Sequence, residues 1–277
     1  MAEDIDLKAA INAISDVVQN RPRPLREFDQ IYMKAGDMVM QSELVASWAN
    51  GRRLVFIGDG DAIGVCVAYL QARGIVSYGP SMITVLDFDE RVVRAVNRFA
   101  DRERLENLQA ILYNCIDSLP PIKTFECFYT NPPWGASNNG ESVNVFVQRG
   151  IEAVRRTGEG MIVIADDEQL DWPGEVLYQV QTFAARHGFY VSRMMPRLHS
   201  YHLDDTPDLR SCNLMIKARP GSLASTESEN IRDKVRLEHF YGRDARLRVR
   251  YVRETRRIDY GHANDNEYRF EFMEGGE

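Results

Sequence analysis

Cysteine is scarce in this chain, with four in 277 residues. Cys66, Cys115, Cys127 and Cys212 form no Cys-x-x-Cys pair and lie in or beside apolar runs. That excludes a disulfide framework, offers no zinc-ligand spacing, and leads us to expect reduced core thiols. Long apolar runs are missing too: none approaches the roughly 18 residues of a membrane span, and the opening ten residues have neither a basic nor an apolar leader region. The expectation is a cytoplasmic protein with no membrane partner. Positive charge is in deficit, with 34 Lys and Arg against 41 Asp and Glu and a net charge of −7, so the molecule as a whole suits cations better than polyanions. Repeats and low-complexity segments are absent. What is present is 44% hydrophobic residues, enough to bury the core of one large α/β domain with small additions at its ends.

Helical spacing over residues 5–19 is stopped by Arg21-Pro22-Arg23-Pro24, and a second helix is predicted over 38–49, ended by Asn50-Gly51. Short apolar runs at 54–57, 83–86, 108–113, 127–130, 160–165 and 189–194 come next. Helical stretches at 63–72, 91–99, 143–154 and 175–187 are interspersed among them. This alternation predicts a mostly parallel sheet flanked by helices, an α/β fold of the Rossmann-like, methyltransferase type, with a small N-terminal helical segment. Runs at 213–217 and 268–272 are expected to complete its far side. The division expected is 1–50 as the N-terminal helical segment, 51–220 as the Rossmann-like core, and 221–277 as an Arg-rich insertion plus a final sheet strand.

Gly58-Asp59-Gly60-Asp61 forms a turn directly after the first strand and before a helix, at the sheet edge where ligands bind in such folds. Its glycines allow close backbone approach, and the helix start presents free N–H groups. Any strand-to-helix turn shares this pattern, but Asp87-Phe88 at the end of the next strand strengthens it, since an acid there binds ribose hydroxyls in Rossmann-type folds. A helix cap is the ordinary alternative for Asp87. Asn114, after the third strand, offers a side-chain acceptor where adenosine-binding transferases meet the adenine amino group; a simple turn Asn is the alternative.

The most specific feature is Asn131-Pro132-Pro133-Trp134 after the fourth strand. Two prolines stiffen the loop, so that the Asn131 side-chain oxygen and the Pro132 carbonyl can both accept N–H bonds from one amino group and aim its lone pair at a carbon on sulfonium. Trp134 would wall off the substrate and exclude water. This turn is the signature of enzymes that alkylate nitrogen with a sulfonium donor.

Three stretches resemble the branched-chain polyamine synthases, the N4-bis(aminopropyl)spermidine synthases. They are Arg21-Pro-Arg-Pro-Leu-Arg-Glu-Phe28-Asp29-Gln30, Phe56-Ile-Gly58-Asp59-Gly60-Asp61, and Val85-Leu-Asp87-Phe-Asp89-Glu90-Arg91. A fourth, Phe146-Val-Gln-Arg149-Gly150-Ile151, comes after the Pro-Pro turn as it does in that family. The resemblance covers roughly residues 15–220, without the family's winged-helix-like N-terminal domain. It implies decarboxylated S-adenosylmethionine as donor, an aminopropyl group as cargo and a polyamine acceptor, with Phe28-Asp29-Gln30 closing over the donor. Two departures fall at the reacting centre. Asp59-Gly60-Asp61 stands where the family carries three acids, and Asn131-Pro132-Pro133 stands for Asp-Pro-Pro. An aliphatic amine has a pKa near that of lysine, about 10, and must lose a proton before it attacks. Asn131 cannot take that proton, leaving Asp59, Asp61 or Asp166 as candidate bases.

The alternative expectation is an N-methyltransferase that uses intact S-adenosylmethionine on an amino group already neutral, as in a nucleic acid held by arginines. Residues 243–257 carry seven arginines (243, 246, 248, 250, 253, 256, 257) against Asp244 and Glu254. Arg246, Arg248 and Arg250 would share one strand face; a solvated or subunit-contacting strand, and so a homodimer, accounts for them equally well. Against that alternative, Asp59, Asp61, Asp87, Asp89, Asp117 and Asp166-Asp167-Glu168 are expected around one mouth, attracting polycations and repelling phosphates. Asp166 and Asp167 are thus candidate substrate-binding residues, as is Tyr201 in an expected ligand-contacting loop beside His199 and His202.

Overall fold

The computed structural model describes residues 5–201, 209–241, 248–256 and 267–273. Helix α1 (Leu7–Asn20) starts where the Asp6 carboxylate accepts the Ala9 N–H and stops two residues before Pro22. After a single 3₁₀ turn, Arg26–Phe28, the chain enters α2 (Ala35–Trp48). Strands and helices then alternate as β1 (Arg53–Ile57), α3 (Ile63–Ala72), β2 (Met82–Asp87), α4 (Glu90–Glu103), β3 (Leu108–Leu112), β4 (Cys127–Thr130), α5 (Glu141–Ala153), β5 (Glu159–Ala165), α6 (Asp171–Arg186), β6 (Phe189–Ser200) and β7 (Arg210–Ala218). A short α7 (Lys234–Leu237), β8 (Val249–Glu254) and β9 (Tyr268–Phe272) complete the order.

The seven-stranded sheet has the order β3-β2-β1-β4-β5-β7-β6, in which β7 runs antiparallel to β5 and to β6. Period-two alternation splits the core between its faces. Leu54 and Phe56 of β1 join residues of α1 to α4 on one face, and Val55 and Ile57 join α5 and α6 on the other. Ala10, Ile14, Met38 and Val45 bring α1 and α2 into the first cluster. Helix α5 lies close on β4 because Gly150 faces the Phe128 ring; a Cβ there would sit 2.2 Å from a ring carbon.

Three expectations need correction. Residues 268–272 do form a strand, but β9 pairs with β8 in a separate two-stranded ribbon, because β6 and β7 already complete the far side of the main sheet. The run predicted over 189–194 continues to Ser200: β6 is an edge strand, and a register shift between Met195 and His199 accommodates Pro196. His199 therefore belongs to a strand rather than a loop, and its buried ring nitrogens meet Ser211 Oγ (2.9 Å) and Gln41 Oε1 (2.8 Å). His202 lies outside the described residues. The arginine segment is described only in part, and Arg248 and Arg256 are exposed. Arg250 pairs with Asp117 (2.8 Å) and Arg253 with Glu271 (2.6 Å), while Arg243, Arg246 and Arg257 lie outside the described residues. All four cysteines are buried and unbridged, and among the described residues no helix is long and apolar enough to cross a membrane.

Candidate functional site

Parallel strands β1, β2 and β4 end at one edge of the sheet, and their connecting loops surround a cleft of about 770 Å³, part of it continuous with solvent. Gly58 leaves β1 with a φ of +74°, and a Cβ there would press on the Phe146 ring at 3.3 Å, so only glycine fits the turn comfortably. The turn delivers Gly60 and Asp61 to the cleft, the end of β2 delivers Asp87 and Phe88, and the loop after β4 delivers Asn131 through Trp134. The segment between α1 and α2 crosses over this edge and adds residues 28–32, Gln30 among them.

Of the residues singled out from sequence, the structure brings together Gln30, Gly58, Gly60, Asp61, Asp87, Phe88, Asn131, Pro132 and Trp134. Five others stand outside the cleft wall. Asp59 is buried at the start of α3, where its two oxygens accept the N–H groups of Ile63 and Gly64, so it caps a helix instead of facing a substrate. Asn114 is fully buried and bridges the Ile116 N–H to the Arg250 carbonyl, away from the cleft lining. Asp166 accepts the Arg197 N–H and Asp167 the Gln169 N–H, both as loop staples. Tyr201 is buried behind Trp134, edge-on at 4.9 Å between ring centroids, with its hydroxyl on Ser211. It packs behind Trp134 and also interacts with the Asn131 side chain. The expected ring of acids shrinks accordingly. Asp89 is ion-paired with buried Arg91 at 2.6 Å and Asp117 with Arg250, leaving Asp29, Asp61 and Asp87 as the acids that line the cleft.

Asp61 and Asn131 form the centre of the site. The Asn131 amide nitrogen donates to Asp61 Oδ2 at 2.6 Å, and its amide oxygen accepts from Trp134 Nε1 at 3.3 Å. Trp134 fixes that orientation, because an indole N–H can only donate and must therefore meet the oxygen. Asp61 Oδ1 accepts the Met33 N–H at 2.7 Å, and the Arg21 guanidinium stands 4.0 Å away. Burial pushes the Asp61 carboxyl above the usual carboxylate range, against the opposing pull of Arg21, the Met33 N–H and the Asn131 amide. Asp87 is pushed up to about 7, chiefly by burial and then by Asp89, while the backbone N–H groups of Asp89 and Asp59 act against the rise. The result is a buried acid of raised pKa, locked by an amide, at the wall of a cleft. Such a group can accept a proton from a bound amine.

Residues 234–241 and strand β8 flank the end of the cleft nearer β2 and β3. The Val252 N–H donates to the Phe88 carbonyl, and the Phe240 carbonyl accepts from Ser142 of α5. Phe28, Phe88 and Tyr241 meet there at ring-centroid distances of 5.1–5.5 Å.

Residues 9–273 match the model of a protein family described as the branched-chain polyamine synthase A C-terminal domain. The chain belongs to this family. It is 28% identical over 152 residues to the N(4)-bis(aminopropyl)spermidine synthase of Thermococcus kodakarensis, covering 53% of this chain and 40% of that protein. To the enzyme of the same name from Thermus thermophilus it is 26% identical over 187 residues, 66% of this chain and 50% of that one. The chain thus spans half or less of the length of these curated relatives. The crystal structure of the branched-chain polyamine synthase from Thermus thermophilus, in complex with N4-aminopropylspermidine and 5′-methylthioadenosine, superposes with a TM-score of 0.68 at 20% identity. That match covers 84% of this chain and 69% of the other, and it shows a shared fold.

Sequence reasoning missed Tyr32, Tyr113, Cys115, Phe146 and Tyr241 as cleft-lining residues. Tyr32 carried a usable signal, lying two residues beyond the end of the first family-like stretch at Gln30. Tyr241 carried a fainter one, an aromatic pair with Phe240 beside an otherwise polar segment. The fourth family-like stretch gives Phe146 to the cleft, while its Arg149 serves the fold. Arg149 is fully buried, ion-paired with Glu152 at 2.6 Å, and it donates to the carbonyls of Cys115 and Glu229, tying the loop after β3 and the chain after β7 to α5.

Proposed function

We propose that this chain transfers an aminopropyl group from decarboxylated S-adenosylmethionine to a nitrogen of a polyamine. One observation carries the proposal: the Asp61 carboxylate, of raised pKa, lies on the cleft wall 2.6 Å from Asn131 of the Asn-Pro-Pro-Trp loop. The family-like Asp-Pro-Pro places a carboxylate on that loop; here the loop holds an amide, and the neighbouring turn supplies the carboxylate to which the amide is bonded. Asp61 is thus placed as the candidate for the base that Asn131 cannot be. Asp61 takes the proton of the acceptor ammonium, and the freed lone pair attacks the propyl carbon attached to the sulfonium. As the N–C bond forms, the S–C bond breaks and its electron pair returns to sulfur, leaving neutral methylthioadenosine. Trp134 keeps water from the reacting carbon. The Pro132 carbonyl and the second lone pair of the Asn131 oxygen are the acceptors that can orient the amine.

Charge supports the same reading. Asp29, Asp61 and Asp87 on the wall favour a polycation and a donor without its carboxylate. The Thermus relative was crystallised in complex with N4-aminopropylspermidine and 5′-methylthioadenosine, the kinds of molecule this chemistry relates. Against the methyltransferase alternative, Arg250 and Arg253 are partly neutralised by ion pairs with Asp117 and Glu271. Incubation with each donor in turn, against spermidine and against a mixed nucleic-acid pool, followed by mass spectrometry, tests the proposal. Aminopropylated polyamine from the decarboxylated donor is expected; methylated product from the intact donor would overturn it.

A further inference from the structure

Among the described residues, a handful of buried side-chain polar atoms have no hydrogen-bond partner, and the Tyr241 hydroxyl is the one that belongs to a residue lining the cleft. Tyr241 is 5% exposed and sits on the segment after α7, far in sequence from every other part of the site. That segment is fastened in place. Arg236 pairs with Glu141 of α5, and Phe240 is almost wholly buried, its ring stacked against Phe146. The Tyr241 ring lies against Phe88 with centroids 5.5 Å apart and planes 22° apart, next to Asp87 and Cys115 in the same wall. A buried hydroxyl without a partner leaves its desolvation uncompensated in the free protein, so a fold that fixes one at a cleft offers it to a ligand.

We infer that Tyr241 is a donor-binding residue, its hydroxyl hydrogen-bonding the purine nucleoside part of the adenosyl-sulfonium substrate. The aromatic wall of Phe28 and Phe88 suits a flat heterocycle, Asp87 suits a vicinal diol, and the phenol adds a hydrogen-bonding group for the polar edge of the base. The inference rests on the proposed adenosyl donor and extends it to a residue outside the strand-and-turn motifs of the core.

The test is calorimetric titration of the full chain with 5′-methylthioadenosine, for the wild type and Tyr241→Phe, together with thermal melts without ligand. Phenylalanine keeps the ring packing and removes only the hydroxyl. The expected result is about tenfold weaker binding by the variant, with an unliganded melting temperature equal to or above the wild type, because no existing hydrogen bond is lost. Equal affinities would overturn the inference, as would a lowered unliganded melting temperature, which would mean that the hydroxyl serves the fold. If the wild type itself does not bind 5′-methylthioadenosine, the adenosyl-donor reading fails first, and the inference with it.

Discussion

Replacing Asp61 by Asn removes the proposed base while changing almost no volume, and the surrounding donors set the cost to the fold. In the wild type every donor around the pair is matched: Asp61 accepts from the Met33 N–H and from the Asn131 amide, whose oxygen accepts from Trp134. With Asn at 61, its oxygen can still accept from Met33, but its NH₂ then faces the NH₂ of Asn131. One of the two amides must turn, leaving Trp134 or Met33 without an acceptor. An unsatisfied buried donor costs about 1–3 kcal/mol, offset in part by the loss of a desolvated carboxylate, so a fall of only a few degrees in melting temperature is expected. Activity suffers far more, because removal of a general base lowers kcat by roughly 10²–10⁴. The decisive variant is the exchange, Asp61→Asn with Asn131→Asp. A carboxylate at 131 accepts from both Trp134 and the new amide at 61, whose oxygen keeps the Met33 N–H, so all donors are satisfied again and a carboxylate again faces the cleft. The exchange should recover at least tenfold of the lost kcat in a steady-state aminopropyl-transfer assay and restore the melting temperature. Wild-type kcat in Asp61→Asn, or an exchange variant no better than the single one, would refute the assignment of the base.

Arg149→Ala leaves the Glu152 carboxylate buried without its partner and frees two loop carbonyls, a loss of about 3–5 kcal/mol that chemical denaturation will report. Gly150→Ala forces a methyl group into the Phe128 ring, where α5 must move off the sheet; destabilisation of at least about 1–3 kcal/mol is expected from the same measurement. Burial lowers the His199 pKa to about 4, against the weaker upward pull of Asp37. The unfolded chain, with a histidine pKa of about 6.5, therefore binds more protons than the folded one between those values, so stability is full above pH 6.5 and declines as pH falls towards 4. The total is of the order of 3 kcal/mol, and melting curves of His199→Gln against pH should show a correspondingly weaker acid sensitivity than the wild type.

Alternation of apolar runs was enough to place β1, α3, β2, α4 and β4 within a few residues, because each buries a face whose period is set by its own backbone geometry. Local chemistry also marked the turn after β1 and the Asn-Pro-Pro-Trp loop. Local chemistry does not encode which acid of a pair turns inward. Asp59 and Asp61 are two residues apart in one turn, yet the first closes the start of α3 and the second meets a side chain from a loop 70 positions away. Asn114 illustrates the same limit, since the Arg250 carbonyl that holds it arrives from the ribbon beyond α7. That ribbon was misplaced for a related reason: an alternating strand pairs equally well with the main sheet or with a neighbour, and only the edge already occupied by β6 decides between them. Catalysis as proposed therefore depends on a contact between two segments, Asp61 to Asn131, rather than on either motif. On that proposal an Asn can stand where the family-like motif carries an acid, because a carboxylate remains one hydrogen bond away at Asp61.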